Sequence, residues 1–197
     1  MAAAIFLDRD GTINEEMGYI NHPDRFKIFS FVPESIKIFN ELGYIVIVVT
    51  NQSGVARGYF NEELVHELHN VLKETVARNN AYITDIYYCP HHPIEGIPEY
   101  RVDCDCRKPK PGMVLKAKDQ YNINLEQSFM IGDRYSDVQF GKRLKMKTAL
   151  VLTGYGKGEY TYHKHLWQEE PDIIGYDLLE IAHKIKLQHL QHKELNH

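Results

Sequence analysis

The chain has 197 residues, of which 43% are hydrophobic, and a formal net charge of −4 at pH 7. This length allows a sizeable core, so we expect one domain over residues 1–197. The sequence has no basic stripe, no apolar run near the roughly 20 residues of a membrane span, and no charged start typical of a signal peptide. We therefore expect a cytoplasmic monomer that acts on a small molecule and binds neither nucleic acid nor a membrane.

The first predicted strand ends in two carboxylates. The apolar residues 5–7 precede Asp8, Arg9, Asp10 and a glycine turn. Because side chains alternate along a strand, Asp8 and Asp10 can leave its end on the same side. A hard cation such as Mg²⁺ would relieve their repulsion, and an aspartate at this position can form an aspartyl-phosphate. Two solvated acids in a turn are the alternative for this segment alone.

The connection after the first strand, residues 13–31, starts at the same end of the predicted sheet. A loop that begins there can form one wall of a pocket. It can equally be an ordinary surface loop, and the residues alone do not decide between the two.

Helices and strands then alternate. Residues 33–42 and 61–80 predict amphipathic helices, and residues 44–50 and 85–89 predict buried strands. Right-handed crossovers place the carboxyl ends of such parallel strands at one edge of the sheet, where open α/β sheets bind ligands. The polar residues that end the second strand are Thr50, Asn51, Gln52 and Ser53. These residues can hold a phosphoryl group there, although the same residues are typical of a polar turn.

The long helix predicted over residues 61–80 carries its apolar residues, among them Leu68 and Leu72, with roughly helical spacing. Its two histidines, His66 and His69, are expected on the solvent-exposed face.

A segment rich in cysteine and histidine follows the third strand. Cys89, His91 and His92 are followed by Cys104 and Cys106. Three thiols with one imidazole form the ligand set of a closed, structural zinc site. The alternative is three free cysteines, but these are more often buried singly in strands or helices. The spacing does not choose between His91 and His92.

Cations follow the last thiol directly. Arg107, Lys108 and Lys110 are separated by prolines, and Pro111 suits the first turn of a helix predicted over residues 112–121. Such a turn can be solvated charge. Held near a phosphoryl group, it can instead neutralise that group and bind a second anion.

The predicted strand over residues 128–133 ends in Asp133. Ser136 and Gln139 have the spacing of a capping box that opens the next helix. Within that first turn, Asp137 is expected to favour the helix N-terminus by its negative charge.

The C-terminal part of the chain continues the alternation. Residues 148–153 predict a fifth strand, followed by a glycine-rich turn over residues 154–158. Residues 171–174 predict a short last strand, and residues 177–191 a final helix. The histidines of the tail are expected to lie in a solvated, frayed end: His189, His192 and His197.

Four separated motifs, in this order, resemble those of the haloacid dehalogenase superfamily of phosphohydrolases. The motifs are Asp8-x-Asp10-Gly-Thr12, Thr50-Asn51 at a strand end, Lys108 in a Lys-Pro turn and Gly132-Asp133. Residues 48–58, 87–93 and 104–109 are similar to one family within it, the heptose-bisphosphate phosphatases, which have histidinol-phosphate phosphatases as close relatives. The resemblance spans residues 4–182 and leaves the tail, residues 183–197, uncovered.

This resemblance implies a Rossmann-like, three-layer α/β fold with a parallel sheet and a zinc-binding loop at about residues 89–106. The connections after the first and second strands are too short for an inserted cap, so we expect no large cap domain. It implies a Mg²⁺-dependent phosphatase that removes the C7 phosphate of a heptose 1,7-bisphosphate, in the supply of nucleotide-activated heptose for surface glycans. A histidinol-phosphate phosphatase is the alternative. A zinc-stabilised binding module for nucleic acid or protein is a third hypothesis, which the acidic charge and the complete motif set disfavour.

The resemblance also implies roles for the motif residues. Asp8 matches the nucleophile and Asp10 the general acid and base, while Thr50 and Lys108 match the groups that hold the phosphoryl oxygens. Magnesium would be bound by Asp8, by Asp133 and by the backbone carbonyl of Asp10.

Substrate and zinc contacts are implied in the same way. Arg107 matches a residue that recognises the distal part of the substrate, and Arg134 matches a substrate-contacting cation that is lysine in relatives. The implied zinc ligands are Cys89, His91, Cys104 and Cys106. The residues implied to line the substrate are Glu16, Met17, Gly18, Tyr19, Asn51, Gln52 and Ser53.

Overall fold

The structure, a computed structural model, describes residues 1–194, with side chains described to residue 191. Six parallel strands form one sheet in the order β3-β2-β1-β4-β5-β6. The strands are β1 (Ala4–Leu7), β2 (Ile45–Asn51), β3 (Asp85–Cys89), β4 (Phe129–Gly132), β5 (Lys147–Val151) and β6 (Ile173–Gly175). The helices are α1 (Val32–Glu41), α2 (Glu62–Ala77), α3 (Gly112–Tyr121), α4 (Tyr135–Arg143), α5 (Gly156–Gly158) and α6 (Leu178–Glu194).

The predicted strands are all present. β2 lies between β3 and β1, and its β-branched residues are buried on both faces of the sheet, as an inner parallel strand requires. The chain runs from β1 outwards to β3 and then returns to β4 on the other side of β1. The ends of β1 and β4 therefore lie at the point where the strand order reverses, where such sheets bind ligands.

Helices cover both faces of the sheet. On one face, α1, α2 and α6 pack Phe39, Leu72 and Ile181 against the sheet. On the other face, α3 and α4 pack Val114 and Phe140 against it. The expected three-layer α/β fold is confirmed. The described residues show no separate cap domain after β1 or β2.

Two local predictions are wrong. The structure begins α4 at Tyr135, with Arg134 as N-cap and no side-chain capping bond, so the predicted capping box is absent there. Asp137 does lie in the first turn of α4, as predicted, and its carboxylate also lies 2.8 Å from the ammonium group of Lys108. His69 is 5% exposed and not on a solvent-facing surface, whereas His66 is exposed as expected.

The C-terminal region has more helix than predicted. The glycine-rich turn contains the short helix α5, which continues as a π-helical turn at Glu159–His163 and a 3₁₀ turn at Lys164–Leu166. The last helix extends to Glu194. Of the tail expected to be frayed, His197 lies outside the described residues. Over the part of the chain that is described, no helix combines the length and apolar character needed to span a membrane.

Candidate active site

Three carboxylates meet at the carboxyl edge of the sheet. Asp8 follows β1, Asp133 follows β4, and Asp137 lies in the first turn of α4. One oxygen from each lies within 4.8 Å of the others, so the group could hold a metal ion. The sequence motifs predicted Asp8 and Asp133 together but assigned Asp137 only to its helix. The spacing of four residues from Asp133 was the signal that could have included it.

The close approach of these groups depends on Gly11. This residue has φ +82°, and a Cβ atom at its position would lie 2.2 Å from Oδ2 of Asp133. A side chain there would therefore displace the carboxylate. Glycine is therefore required in the turn after β1 if Asp133 is to lie beside the end of that strand.

Two of these carboxylates have pKa values above their ordinary range. Burial raises the pKa of Asp8 to about 6, against the opposing effect of Lys108. Burial and the charge of Asp8 raise the pKa of Asp133 to about 8. Oδ1 of Asp133 and Oδ2 of Asp137 are buried without a hydrogen-bond partner. Hard oxygen ligands with unpaired lone pairs fit a divalent cation such as Mg²⁺.

Lys108 brings a cation to this cluster. Its Nζ lies 2.8 Å from Oδ1 of Asp8 and 2.8 Å from Oδ1 of Asp137. Burial alone would lower the pKa of Lys108, but the two carboxylates raise it above its usual value, so the group stays charged. The side chain of Asn51, at the end of β2, bonds to the backbone of Lys108 and fixes the loop that carries it.

The carboxylate of Asp10 is held by donors on several sides. Nη2 of Arg9 lies 2.8 Å from both carboxylate oxygens, and the side-chain amides of Asn14 and Gln52 donate to it at 2.9 and 2.8 Å. Burial alone would raise the pKa of Asp10, but Arg9 and these hydrogen bonds lower it below its usual value. Gln52 also donates to Oγ1 of Thr50 at 3.0 Å. The side chain of Gln52 thus connects two predicted catalytic residues.

Arg9 is a residue that the motifs did not single out. It is 1% exposed, and its Nη1 lies 3.3 Å from Nε2 of the buried His69. The ring of Phe26 lies 5.4 Å from its guanidinium carbon. Charged residues are rarely buried unless paired, and Asp10 is the partner here.

A cleft of about 440 Å³ opens above these groups. Asp8, Asp10, Thr50 and Lys108 lie on its floor and walls, so the structure brings the four predicted catalytic residues together. The predicted substrate residues that line it are Glu16, Gly18, Tyr19, Asn51, Ser53, Arg107 and Arg134. The remaining two lie elsewhere: Gln52 is 6% exposed beneath the cleft, and Met17 is 38% exposed outside its lining.

The cysteine- and histidine-rich loop forms a second cluster. Sγ of Cys104 lies 3.4 Å from Sγ of Cys89 and 3.1 Å from Sγ of Cys106. Nδ1 of His91 lies 3.8 Å from Sγ of Cys89 and 3.5 Å from Sγ of Cys106. The four ligand atoms lie close enough together that they could hold one metal ion, and three sulfurs with one nitrogen are a ligand set of structural zinc sites.

The neighbouring histidine has other partners. Nδ1 of His92 accepts hydrogen bonds from the backbone N–H groups of Ile94 and Glu95, and Nε2 lies 3.4 Å from Nη2 of Arg57. Beside the thiols, Nη1 of Arg107 donates to the carbonyl oxygen of His91 at 3.1 Å. The loop that gathers the thiols therefore also positions a cleft residue.

Comparisons with known proteins agree with this geometry. The family model described as HAD-hydrolase-like matches residues 105–181. A D-glycero-beta-D-manno-heptose-1,7-bisphosphate 7-phosphatase from Pasteurella multocida is 47% identical over 155 residues, covering 78% of this chain and 84% of the relative. The protein of the same name from Escherichia coli K12 is 43% identical over 152 residues, covering 77% and 80%.

A solved structure shares the whole architecture. The crystal structure of a D,D-heptose 1,7-bisphosphate phosphatase from B. bronchiseptica, complexed with magnesium and phosphate, superposes with a TM-score of 0.83. It is 27% identical and covers 94% of this chain and 99% of its own. The predicted superfamily is confirmed. The chain belongs to the haloacid dehalogenase-like hydrolases, and within them to the family of the D-glycero-beta-D-manno-heptose-1,7-bisphosphate 7-phosphatases.

Proposed function

We propose that this enzyme removes the C7 phosphate of D-glycero-β-D-manno-heptose 1,7-bisphosphate, in the supply of nucleotide-activated heptose. One observation carries the proposal: Asp8, Thr50 and Lys108 line the same cleft as two arginines, Arg107 and Arg134. That arrangement suits a substrate with two anionic groups. The names of the relatives from P. multocida and E. coli support the same substrate and its β anomer.

In the first half of the reaction, Asp8 is the nucleophile. Its carboxylate oxygen forms a bond to phosphorus while the bond from phosphorus to the C7 oxygen breaks. Lys108 and Thr50 hold the non-bridging oxygens. The leaving alkoxide takes a proton from Asp10, which yields the free C7 hydroxyl of the sugar, an ionised Asp10 and an aspartyl-phosphate at Asp8.

In the second half, Asp10 acts as a base. Its carboxylate takes a proton from water, the resulting hydroxide attacks phosphorus, and the bond to Asp8 breaks. Inorganic phosphate leaves, and Asp10 is protonated again. The contact with Arg9 lowers the pKa of Asp10 and thus suits this step. Before the first step, the charge of the bound phosphate has to raise that pKa, so that substrate binding is coupled to proton uptake.

Mg²⁺ fits the carboxylate cluster and, when bound, would neutralise charge on the phosphoryl group. Asp8 and Asp133, with the backbone carbonyl of Asp10, are the proposed ligands. Asp137 lies in the same cluster and pairs with Lys108. The unpaired buried oxygens of Asp133 and Asp137 support this assignment.

Zinc is the proposed occupant of the second cluster. Its ligands would be Cys89, His91, Cys104 and Cys106, which leave no open position, so its role is structural. The metal would fix the loop whose next residue, Arg107, lines the cleft. We place this single-domain enzyme in the cytoplasm, where thiols stay reduced, and propose that it acts as a monomer.

The test is phosphate release from both anomers of the heptose bisphosphate and from histidinol phosphate, with Mg²⁺ and with Asp8→Asn as the blank. We expect kcat/KM for the β anomer to exceed that for each of the other two substrates by about a hundredfold, roughly 2.7 kcal/mol in transition-state binding. A preference for histidinol phosphate, or equally slow hydrolysis of all three, would reject the substrate and leave the phosphatase mechanism in place.

A further inference from the structure

Tyr155 contacts two consecutive residues of the site in two different ways. Its backbone N–H donates to Oδ2 of Asp133 at 2.8 Å. Its ring lies beneath the guanidinium of Arg134, with 3.8 Å between Cζ and the ring centroid. Both Tyr155 and Arg134 line the cleft. One residue therefore connects a carboxylate of the metal cluster to a cation on the cleft wall.

The main chain leaves Tyr155 little freedom. The preceding residue, Gly154, has φ +52°, and a Cβ atom there would lie 2.2 Å from Oδ2 of Asp133 and 2.6 Å from Cα of Gly11. Glycine alone fits this approach. The backbone of residues 154–155 is thus packed against the end of β1 and the carboxylate after β4. This packing and the N–H bond to Asp133 fix the backbone from which the phenol ring extends.

The guanidinium of Arg134 is arranged to bind an anion. In the described part of the chain, no carboxylate lies within 4.0 Å of its nitrogens, so its donors remain available to the cleft. A planar guanidinium that stacks on an aromatic ring keeps its edge free for bidentate bonds to a phosphate. The stack also lowers the number of rotamers that the long side chain must lose when an anion binds.

We propose that Tyr155 is a positioning and specificity-determining residue, which holds Arg134 as a platform for the second, non-reacting phosphate of the substrate. The inference rests on the proposed function, because it needs a substrate with two phosphates. It adds a residue from the glycine-rich segment after β5, which none of the four motifs includes. The ring acts through Arg134 on binding and leaves the chemistry at Asp8 unchanged.

The test compares two substrates: the heptose 1,7-bisphosphate and the heptose 7-phosphate that lacks the C1 phosphate. For Tyr155→Ala we expect KM for the bisphosphate to rise roughly tenfold, with kcat little changed, and KM for the monophosphate to stay constant. Tyr155→Phe keeps the ring and should restore the wild-type KM. Tyr162→Ala removes a tyrosine of the adjoining π-helical turn that is 71% exposed, and it serves as the control.

A double-mutant cycle isolates the contact. If the ring acts through Arg134, adding Tyr155→Ala to Arg134→Ala raises KM for the bisphosphate no further. Additive effects, equal effects on both substrates, or a loss of thermal stability that accounts for the rise would overturn the role of Tyr155. A wild-type enzyme that does not turn over the bisphosphate would overturn the proposed function and, with it, this inference. A wild-type enzyme that prefers the bisphosphate, with Tyr155→Ala unchanged, would overturn the inference alone.

Discussion

The side chain of Asn51 forms a reciprocal pair of hydrogen bonds with the backbone of Lys108. Its Nδ2 donates to the carbonyl oxygen of Lys108 at 3.0 Å, and its Oδ1 accepts from the N–H of Lys108 at 3.0 Å. The two residues are 57 positions apart. The end of β2 therefore determines where the loop after the thiol cluster places its ammonium group, 2.8 Å from Asp8.

The first prediction follows from this pair. Asn51→Ala removes both hydrogen bonds, so we expect the free energy of unfolding to fall by about 1–2 kcal/mol. We expect kcat to fall by roughly 10- to 100-fold, because small displacements of a catalytic group have large effects on rate. The measurements are steady-state kinetics and thermal unfolding.

A matched control separates the two effects. Asn40 forms the same reciprocal pair with the backbone of Tyr82, at 3.3 and 2.9 Å, away from the cleft. Asn40→Ala should lower stability by a similar amount and leave kcat unchanged. If Asn40→Ala lowers kcat as much as Asn51→Ala does, the loss reflects stability alone, and the positioning role of Asn51 is wrong.

The second prediction concerns Asp8, the proposed nucleophile. Asp8→Asn keeps the shape of the side chain but cannot form an acyl phosphate, so we expect kcat to fall at least about a thousandfold. The far-ultraviolet circular dichroism spectrum should not change. Incubation of the wild type with substrate, followed by rapid acid quench, should trap phosphate on Asp8. Turnover by Asp8→Asn near the wild-type rate would reject this assignment.

The fold was predictable because its signals are local. The β-branched run of β2, the helical spacing of the apolar residues of α2 and the proline before α3 indicate a parallel α/β sheet without knowledge of distant contacts. Three motif residues, Asp8, Thr50 and Asp133, follow the same logic, since each stands at the end of a predicted strand. Parallel topology alone then brings Asp8, Thr50 and Asp133 to one edge.

The supporting residues were not predictable in this way. The buried stripe of α2 includes Val65, His69, Leu72 and Val76, which are three to four residues apart, whereas Val71 is 41% exposed. The spacing correctly placed Leu68 and Leu72 in the buried stripe, but it gave no signal for the histidine, and only the contact with Arg9 explains why His69 lies there. The partners of Tyr155 depend on tertiary packing that no local pattern encodes.

The third prediction concerns the thiol cluster. We expect about one equivalent of zinc per chain after purification without added metal. His91→Gln should lose that zinc, and its activity should fall because the same loop positions Arg107 and Lys108. Added Mg²⁺ should not restore the activity. Elemental analysis by mass spectrometry and kinetics are the measurements.

The adjacent histidine provides the control. His92→Gln should retain zinc, because both ring nitrogens of His92 have partners other than the thiols. Zinc loss in His92→Gln together with retention in His91→Gln would reverse the assignment. If purified wild-type protein is active without zinc, the structural role proposed for zinc is wrong.

The last prediction uses the buried histidine behind Asp10, the proposed general acid and base. Burial, followed by the charge of Arg9, lowers the pKa of His69 to about 3 in the folded protein. The unfolded chain should protonate His69 near its ordinary value of about 6.5. Between these two values the unfolded state binds more protons, so stability is retained above pH 6.5 and is lost as the pH falls.

We therefore expect His69 to remove about 2 kcal/mol of stability between pH 7 and pH 5, because each pH unit below the unfolded pKa contributes about 1.4 kcal/mol. His69→Gln stays neutral and can still hydrogen-bond to Arg9, so its stability should depend less on pH over this range. His66→Gln replaces an exposed histidine of the same helix and should behave like the wild type. Urea unfolding at several pH values measures the difference. If wild type and His69→Gln lose stability in parallel on acidification, His69 is protonated in the folded state, and its neutral contact with Arg9 is rejected.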